Sequence, residues 1–235
     1  MNGPVWCLAL ETSARQGSIA LLRDGEFVAQ SVLELGTAHG QSLLPAVAAL
    51  LQQHGLTSRD LGLVAVSVGP GSYTGLRVGV VCAKLLAWSL RVPLVAVDTL
   101  QAIAAAEPVA RLRLWVLTDA QRDVVYATCQ SIMIPHTPNC EVATQVVSVS
   151  NLAPQIAPSD QLAGSGVEKL LQHAPGLGSQ VTSAAAGPEA RWVGHLGWRM
   201  WKSGEVADVQ SLTPVYLRQS SAETQWDRLH PPRPQ

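Results

Sequence analysis

One stretch decides the fold: residues 66–79, which read Val66-Ser67-Val68-Gly69-Pro70-Gly71-Ser72-Tyr73-Thr74-Gly75-Leu76-Arg77-Val78-Gly79. The apolar residues 63–68 predict a buried strand, and a helical pattern follows as far as about residue 90. Glycine, proline and serine between them predict a sharp strand-to-helix corner. Exposed N–H groups at such a corner suit an anion or another stretch of backbone.

The glycine spacing of this corner fits neither of two familiar phosphate-binding loops. A P-loop continues from its second glycine with Lys-Ser/Thr, whereas Gly75 is followed by Leu76-Arg77. The dinucleotide fingerprint has two residues between its last two glycines, but three separate Gly71 from Gly75. A structural turn and a ligand loop both stay open. The corner residues are Gly69, Gly71, Ser72, Thr74 and Gly75, and the two hydroxyls are expected to cap the helix.

Small residues recur every four positions along the helix, at Gly75, Gly79, Ala83 and Ala87, so they share one face. Because glycine inside a helix costs about 1 kcal/mol relative to alanine, another backbone is expected close by. The stripe packs either on the chain's own sheet or against a helix of a second subunit. In the second case, Glu or Arg at Gly79 or Ala83 would abolish pairing and leave the isolated fold largely intact.

The composition is rich in apolar residues and poor in charge. Of 235 residues, 47% are hydrophobic and 14% charged, with a formal net charge of −1. So little charge predicts an apolar surface that meets a partner, and it argues against tight binding of nucleic acid by the chain alone. The four cysteines lack metal-ligand spacing, and no signal peptide or membrane span is apparent, so we expect a cytoplasmic protein.

The order of predicted elements is three strands, helix, strand, helix, strand and helix, which is the ribonuclease-H-like arrangement. A second unit starts near residue 112, with a strand ending at Asp119 and another at 124–129 that echo the first hairpin. After Ile134 the pattern loosens, although residues 192–202 predict a helix. We therefore assign an N-terminal lobe to 1–108, a second lobe to 109–218 and a disordered tail to 219–235.

Five motifs then appear in the order found in a known family. They are Leu8-Ala9-Leu10-Glu11-Thr12-Ser13, His39 with Leu43-Leu44-Pro45, the glycine corner, Asp119-Ala120, and Pro214-Val215-Tyr216-Leu217-Arg218. With these the chain resembles the TsaB (formerly YeaZ) family. The resemblance runs from residue 8 to 218, and only 130–205 contributes little to it.

The resemblance implies an α/β fold of the actin/Hsp70/sugar-kinase (ASKHA) type, with two ribonuclease-H-like lobes of which the second is smaller and degenerate. It implies a scaffold subunit that pairs with TsaD, the paralogue that adds a threonylcarbamoyl group to the adenosine next to the anticodon of ANN-decoding tRNAs. The implied partners are TsaD, the small ATPase TsaE, a second copy when the chain is alone, and tRNA only through the complex. No cofactor of its own is implied, although ATP or ADP is open at the complex interface.

The residues at the expected metal position support a chain that is not an enzyme by itself. TsaD carries a His-x-x-x-His metal pair after the strand that leaves the glycine-rich helix, and the corresponding residues here are Thr99 and Ile103. Neither is a suitable ligand in that spacing. We therefore expect no catalytic or metal-binding residues. An ATP-dependent small-molecule kinase is the alternative, and a metallopeptidase is a third.

The family also implies a subunit interface on the first two helices, residues 39–54 and 73–90. The interface residues are predicted to be His39, Leu43, Leu44, Val47, Leu51, Leu76, Gly79, Val80, Ala83 and Ala87. A nucleotide phosphate could meet Glu11, Thr12, Ser13 and Asp119, or these could be polar strand ends that hold the loops. Glu11 departs from the commoner Asp, and Gln121 stands where the family usually has Arg.

Overall fold

The computed structural model describes residues 3–33, 39–107, 112–134, 136–183, 187–218 and Trp226. Within them the chain forms two five-stranded sheets with helices on their faces. The predicted disordered tail lies outside the described residues apart from Trp226, as does the predicted junction between the lobes at 108–109. None of the described helices has the length and apolar character needed to cross a bilayer.

The first sheet contains the elements predicted from the N-terminal half. Its strands are β1 (Trp6–Glu11), β2 (Ser18–Arg23), β3 (Glu26–Val32), β4 (Leu61–Gly69) and β5 (Leu94–Asp98), and its helices are α1 (His39–Gln53), α2 (Tyr73–Leu90) and α3 (Thr99–Ala106). The strand order is β3-β2-β1-β4-β5. The first three strands are antiparallel, and β4 and β5 run parallel to β1. Asp24 and Gly25 both have positive φ, as a tight hairpin turn between β2 and β3 requires.

Strands β1, β2 and β4 of this sheet are buried on both faces, so helices or loops cover both faces there. Leu8 and Leu10 of β1 point to the core under α1 and α2. Cys7 and Ala9 point the other way, into the core under α3 and a later helix. This alternation is the period of two expected along a strand. The sheet is therefore the centre of a three-layer lobe.

The second sheet repeats the first. Its strands are β6 (Leu112–Asp119), β7 (Val124–Ile134), β8 (Thr137–Ser148), β9 (Gln161–Ala163) and β10 (Val181–Ser183), in the order β10-β9-β6-β7-β8. Strands β6, β7 and β8 pair antiparallel, and β9 and β10 run parallel to β6, which is the arrangement of the first sheet. The predicted duplication is thus confirmed, and with it the two-lobed α/β fold. The later part of this lobe is reduced, since β9 and β10 have three residues each.

The elements between residues 137 and 183 were not predicted from the sequence. Strand β8 has twelve residues, and two short helices follow it, α4 (Val149–Leu152) and α5 (Val167–His173). Strand β8 lies at the edge of its sheet and most of it is only partly buried. It therefore tolerates polar residues and Pro138, which hide the apolar pattern of a strand.

The C-terminal part of the second predicted lobe belongs to the first lobe in space. Helix α6 (Ala190–Lys202) packs on the first sheet, where Gly194 lies against Leu22 and Ala9, and Gly197 lies against Ala65. Residues 205–218, here called the strap, continue along that lobe: Ala207 N–H donates to Leu94 O (2.7 Å) and Val215 N–H to Val68 O (2.7 Å). This corrects the boundary drawn from sequence, because α6 completes the core of the first sheet.

Candidate functional site

An open cavity lies between the two lobes. It is a cleft of about 910 Å³. The β1–β2 loop, the glycine corner and the start of α3 form one side; the end of β6, Tyr126 and Ser165 form the other; and the strap also reaches it. The residues that line the cleft include Ser13, Arg15, Ser72, Tyr73, Thr74, Thr99, Thr118, Asp119, Gln121, Tyr126, Glu189, Tyr216 and Arg218. Two of the four residues predicted to meet a phosphate, Ser13 and Asp119, therefore face one cavity.

Glu11 lies beneath the cleft rather than on its wall. Its carboxyl group is fully buried, and Oε1 accepts hydrogen bonds from the N–H and the hydroxyl of Ser13, both at 2.5 Å. Burial raises its pKa, and the hydrogen bonds from Ser13 offset this only in part. A buried carboxyl with a raised pKa favours the neutral form. This arrangement supports the reading of Glu11 as a residue that holds the β1–β2 loop.

Thr12 is also buried, and it lies against α2. Its hydroxyl donates to Gly75 O at 2.8 Å. A Cβ at Gly75 would overlap Thr12 O, and one at Gly79 would overlap Thr12 Oγ1. The glycines of the stripe are therefore needed for contact between α2 and the chain's own first strand.

The glycine corner meets backbone on two sides. Ser72 N–H donates to Ser13 O at 2.7 Å, and a Cβ at Gly71 would lie 2.5 Å from the same oxygen. Gly69 has a φ of 118°, and a Cβ there would lie 2.8 Å from Val215 O of the strap. The Ser72 hydroxyl accepts from Gly75 N–H at 3.3 Å, which confirms its predicted role as a helix cap. Thr74 is exposed and lines the cleft.

Asp119 is engaged by neighbours that the sequence did not suggest. Its Oδ1 forms an ion pair with Lys169 Nζ of α5 and accepts from Gln121 N–H at 2.7 Å. Partial burial would raise the pKa of Asp119, but Lys169, Gln121 and the charge of Arg218 together hold it below its ordinary value. This carboxylate is ionised and already has a cation as its partner. Among the described residues, no group of three or more His, Cys, Asp and Glu side chains is placed to hold a metal ion.

Thr99 and Ile103 occupy the first two turns of α3, which packs between the two sheets. Ile103 is fully buried in a cluster with Leu114 and Val116 of β6. The Ile103 side chain therefore contributes to the packing between the two lobes. Thr99 is 2% exposed and borders the cleft, and its hydroxyl has no hydrogen-bond partner.

Most of the residues predicted to face a second subunit lie in the interior. Leu43, Leu51, Leu76, Gly79 and Ala83 are buried against the first sheet, as are Val47, Val80 and Ala87. The prediction that these side chains form a surface is thereby corrected, since the apolar and small faces of both helices complete the core. Charged residues at Gly79 or Ala83 would disrupt the fold itself, contrary to the expectation from sequence. For His39 the structure describes only the backbone, at the start of α1.

A different set of apolar residues on the same two helices faces outward. Leu44 of α1 is 54% exposed, and Val81, Leu85 and Trp88 of α2 are 54%, 60% and 70% exposed. The three residues of α2 are four and three positions apart, so they lie along one side of the helix. Of these four, the sequence analysis named Leu44 only. The sheet covers the small-residue side of α2. Helical periodicity then places Val81, Leu85 and Trp88 on the side of α2 that faces away from the sheet.

The strap is the other feature that sequence reasoning left without a role. Arg77 of α2 donates from Nε to Tyr216 OH at 3.0 Å and from a terminal nitrogen to Tyr73 OH at 2.5 Å. The two tyrosine rings are in contact, with centroids 4.4 Å apart. Lys84 donates to the carbonyls of Gln210 and Leu212 at 3.1 and 2.8 Å. These bonds place the end of the strap at the mouth of the cleft.

Comparison with known proteins gives the family. A family model described as TsaD, tRNA N6-adenosine threonylcarbamoyltransferase, matches residues 34–187. The chain is 32% identical to the tRNA threonylcarbamoyladenosine biosynthesis protein TsaB of Bacillus subtilis (strain 168), over 93% of this chain and 96% of that protein. It is 29% identical to the TsaB protein of Escherichia coli (strain K12), over 94% and 97%.

A solved structure agrees with this. YeaZ from Pseudomonas aeruginosa is 28% identical to the chain and superposes with a TM-score of 0.75, over 91% of this chain and all of the other. This coverage includes both lobes. On the sequence match, the shared motifs and the common fold, the chain belongs to the TsaB (YeaZ) family.

Proposed function

We propose that this chain is a subunit of the machinery that makes threonylcarbamoyladenosine in tRNA, and that it acts by docking a TsaD-like partner rather than by catalysis of its own. The relatives that it matches along nearly their whole length are named for that pathway. The observation that carries the docking role is the outward apolar face of α1 and α2, formed by Leu44, Val81, Leu85 and Trp88. We call these four residues the docking face.

The docking face has enough apolar surface to contribute to a stable pair. Trp88 is 70% exposed. Its burial by a partner would contribute roughly 3–4 kcal/mol of transfer free energy, taking about 150–250 Å² for an aromatic side chain and about 25 cal/mol per Å². Ordering the partners costs part of this gain. Exposed apolar side chains that lie along one side of a helix are a feature of interaction sites, so the docking face supports association with a partner.

The state of the polar groups supports a role without catalysis. Glu11 is buried and hydrogen-bonded to its own loop, and Asp119 is paired with Lys169. Thr99 and Ile103 offer no pair of metal ligands, and Ile103 is part of the core. The kinase and the metallopeptidase alternatives both need groups that are free to bind metal or activate a nucleophile. Neither alternative gains support from these contacts.

The finer parts of the assembly belong to the same proposal. A second copy would cover the docking face when the TsaD-like partner is absent, a TsaE-type ATPase would join the pair, and tRNA would contact the complex. Any ATP or ADP would bind at the interface with the partner, because Asp119 is paired with Lys169 and is not free to hold a metal ion that accompanies the nucleotide. Calorimetry with ADP should then show binding to the pair and not to the isolated chain.

The docking role is tested by placing a charge on the docking face. Leu85→Glu should weaken binding to the cognate TsaD at least tenfold, because a carboxylate would be buried in an apolar contact. It should leave the melting temperature of the isolated chain nearly unchanged, since Leu85 is 60% exposed. Met133→Glu is the matched control, as Met133 is 65% exposed but lies on β7 of the other lobe. Equal affinities for both variants and the wild type would contradict the proposal.

A further inference from the structure

Helix α6 carries an unusual set of side chains on its outward side. Its 13 residues include three tryptophans, two arginines and one lysine, and no acidic residue. The residues that pack on the first sheet are Ala190, Val193, Gly194, Leu196 and Gly197. Since a helix repeats every 3.6 residues, the side turned away from the sheet carries a different set. We call this set the α6 face: Arg191, Trp192, His195, Trp198, Arg199 and Lys202.

Arg191 lies against two aromatic rings at the start of the α6 face. Its guanidinium carbon is 4.9 Å from the ring centroid of Phe27 in β3 and 4.6 Å from that of Trp192. The Phe27 side chain is 46% exposed. Trp192 also stacks on His136, with centroids 4.4 Å apart, which fixes its ring in place. Aromatic rings and guanidinium planes are the surfaces on which proteins stack unpaired RNA bases.

Lys202 forms a second unit of the same kind at the other end of the helix. Its Nζ lies 5.8 Å from the ring centroid of Trp198 and 5.7 Å from that of Trp201. The two indole rings are 5.0 Å apart between centroids. Along the helix Arg191 and Lys202 are separated by about 16 Å, at about 1.5 Å per residue. One extended strand of nucleic acid could therefore meet both units.

The cations of α6 have aromatic rings rather than carboxylates as partners. The ion pairs within the described residues include none of the three basic residues of α6. Three acids of adjoining segments, Asp24, Glu189 and Glu205, each accept a hydrogen bond from another group, at 2.9, 3.1 and 2.9 Å. The positive charge of the α6 face is therefore not neutralised by ion pairs within the part of the chain that the structure describes.

His195 adds no charge to the α6 face at neutral pH. Burial lowers its pKa below the ordinary value of 6.5, and the charges of Arg199 and His136 lower it further, although Glu26 opposes them. Glu26, at the start of β3, is thus an acid that acts on this face. Arg191, Arg199 and Lys202 supply its positive charge, and Arg199 and Lys202 are exposed.

The α6 face lies on the other side of the first sheet from the docking face. Helices α1 and α2 cover one side of that sheet, and α3 and α6 cover the other. A TsaD-like partner on the docking face therefore leaves the α6 face open. RNA is the occupant that this chemistry favours, because proteins bind unpaired strands through aromatic rings that lie beside cations.

We propose that the α6 face, together with Phe27, binds an unpaired segment of RNA. Bases stack on the exposed parts of the rings and on the Arg191 guanidinium, and Arg199 and Lys202 meet phosphates. The inference rests on the proposed function, which supplies tRNA as the RNA. Since the net charge of the chain is −1, the isolated chain binds weakly, and the face adds to the affinity of the complex for tRNA.

Binding of a short oligouridylate to the full-length chain at low salt is the first test. We expect saturable quenching of tryptophan fluorescence, because bases stack beside the indoles, and an affinity that falls as salt is added. Lys202→Gln and Arg199→Gln should each weaken binding about threefold or more and reduce the salt slope by about 0.7. Arg59→Gln is the matched control: it removes an exposed charge from the turn ahead of β4 and should change neither quantity.

Phe27→Leu separates RNA from a protein as the occupant of the face. Leucine keeps an apolar side chain at this exposed position but removes the ring. Binding of oligouridylate should therefore fall several-fold, whereas an apolar contact with a protein would be kept. Melting curves show whether each variant is folded, and Phe27→Leu should melt close to the wild type because Phe27 is 46% exposed.

The pair with the cognate TsaD, titrated with a tRNA transcript, separates this inference from the proposed function. Lys202→Gln and Arg199→Gln should lower the affinity for tRNA and leave the affinity for TsaD unchanged, and Leu85→Glu should weaken TsaD binding and leave oligouridylate binding unchanged. If Leu85→Glu binds TsaD normally, the docking role fails, whereas the oligouridylate measurements still decide the RNA contact.

Three results would overturn the RNA contact. The first is no quenching by oligouridylate below about 1 mM at low salt. The second is a salt slope that is unchanged in Lys202→Gln, or reduced equally by Arg59→Gln. The third is a set of α6-face variants that bind TsaD more weakly and RNA as well as the wild type, which would make the face a protein-docking surface.

Discussion

Replacing Gly79 by alanine is expected to destabilise the fold, although alanine is the better helix former. The substitution gains about 1 kcal/mol in helix propensity. The new methyl group would overlap Thr12 Oγ1 and lie 3.4 Å from Thr12 Cβ, both in the interior. Overpacking of this kind costs about 1–3 kcal/mol, and loss of the buried bond from Thr12 to Gly75 O costs about 1–3 kcal/mol more. The expected net loss is about 1–5 kcal/mol, with a middle value of about 3 kcal/mol, which corresponds to roughly 6–12 °C in melting temperature.

Gly40→Ala is the matched control for this experiment. Gly40 lies in α1, and a Cβ there would meet only Val78 Cγ2, at an ordinary contact distance of 3.8 Å. This variant should therefore be as stable as the wild type or slightly more stable. Both are measured by thermal and urea unfolding at several protein concentrations. Our account of the stripe is refuted if Gly79→Ala unfolds at or above the wild-type temperature and instead weakens binding to the partner.

A double-mutant cycle identifies the atom responsible. Thr12→Ala removes the hydroxyl that the new methyl group would strike, at the cost of its hydrogen bond to Gly75 O. The double variant should be less destabilised than the sum of the two single variants, by at least about 1 kcal/mol. Strict additivity would mean that the clash lies elsewhere.

Two further predictions concern buried charge and the strap. Burial raises the pKa of Glu11 above its ordinary value of 4.5. The stability that the protonated carboxyl contributes is therefore full below pH 4.5 and is lost as the pH rises toward the folded pKa. Glu11→Gln should abolish this loss, so the urea midpoint of the variant should rise relative to that of the wild type between pH 5 and 8. If the difference between the urea midpoints of variant and wild type does not change with pH, the Glu11 carboxyl is ionised in the folded protein. Lys84→Met removes two bonds to strap carbonyls and should cost about 1 kcal/mol, seen as faster amide exchange at Ala207 and Val215 with little change in β1. Uniform protection would show that Lys84 does not hold the strap.

Almost all elements of the N-terminal lobe could be predicted from the sequence, because β1, β2 and β4 are buried apolar runs and the turns contain glycine. The echo of the first hairpin at Asp119 also predicted the second sheet. The edge strand β8 was not predicted, because a strand at the exposed edge of a sheet needs no apolar pattern and β8 contains Pro138. For the C-terminal helix the sequence predicted the element but not its location, because a pattern of period 3.6 shows which face is buried and not against which sheet.

The site was harder to predict for the same physical reason. The stripe at Gly75 and Gly79 indicates a close neighbour, but only the structure shows that the neighbour is Thr12 of the same chain. Of the four residues predicted to meet a phosphate, Ser13 and Asp119 line one cavity, whereas Glu11 and Thr12 are buried, and the phosphate itself stays a prediction. The residues that interact with Asp119, Lys169 and Arg218, are far from it in sequence, and no motif gives their distance from it.

The central claim, that this chain acts by docking a TsaD-like partner, is tested most directly by reconstituting threonylcarbamoyladenosine formation on tRNA from purified subunits. We predict product when the chain and its cognate TsaD are both present with the remaining components. We predict none when either is omitted, and a strongly reduced yield with Leu85→Glu but not with Met133→Glu. Product formed by this chain without TsaD, or a full yield from the Leu85→Glu variant, would contradict the account.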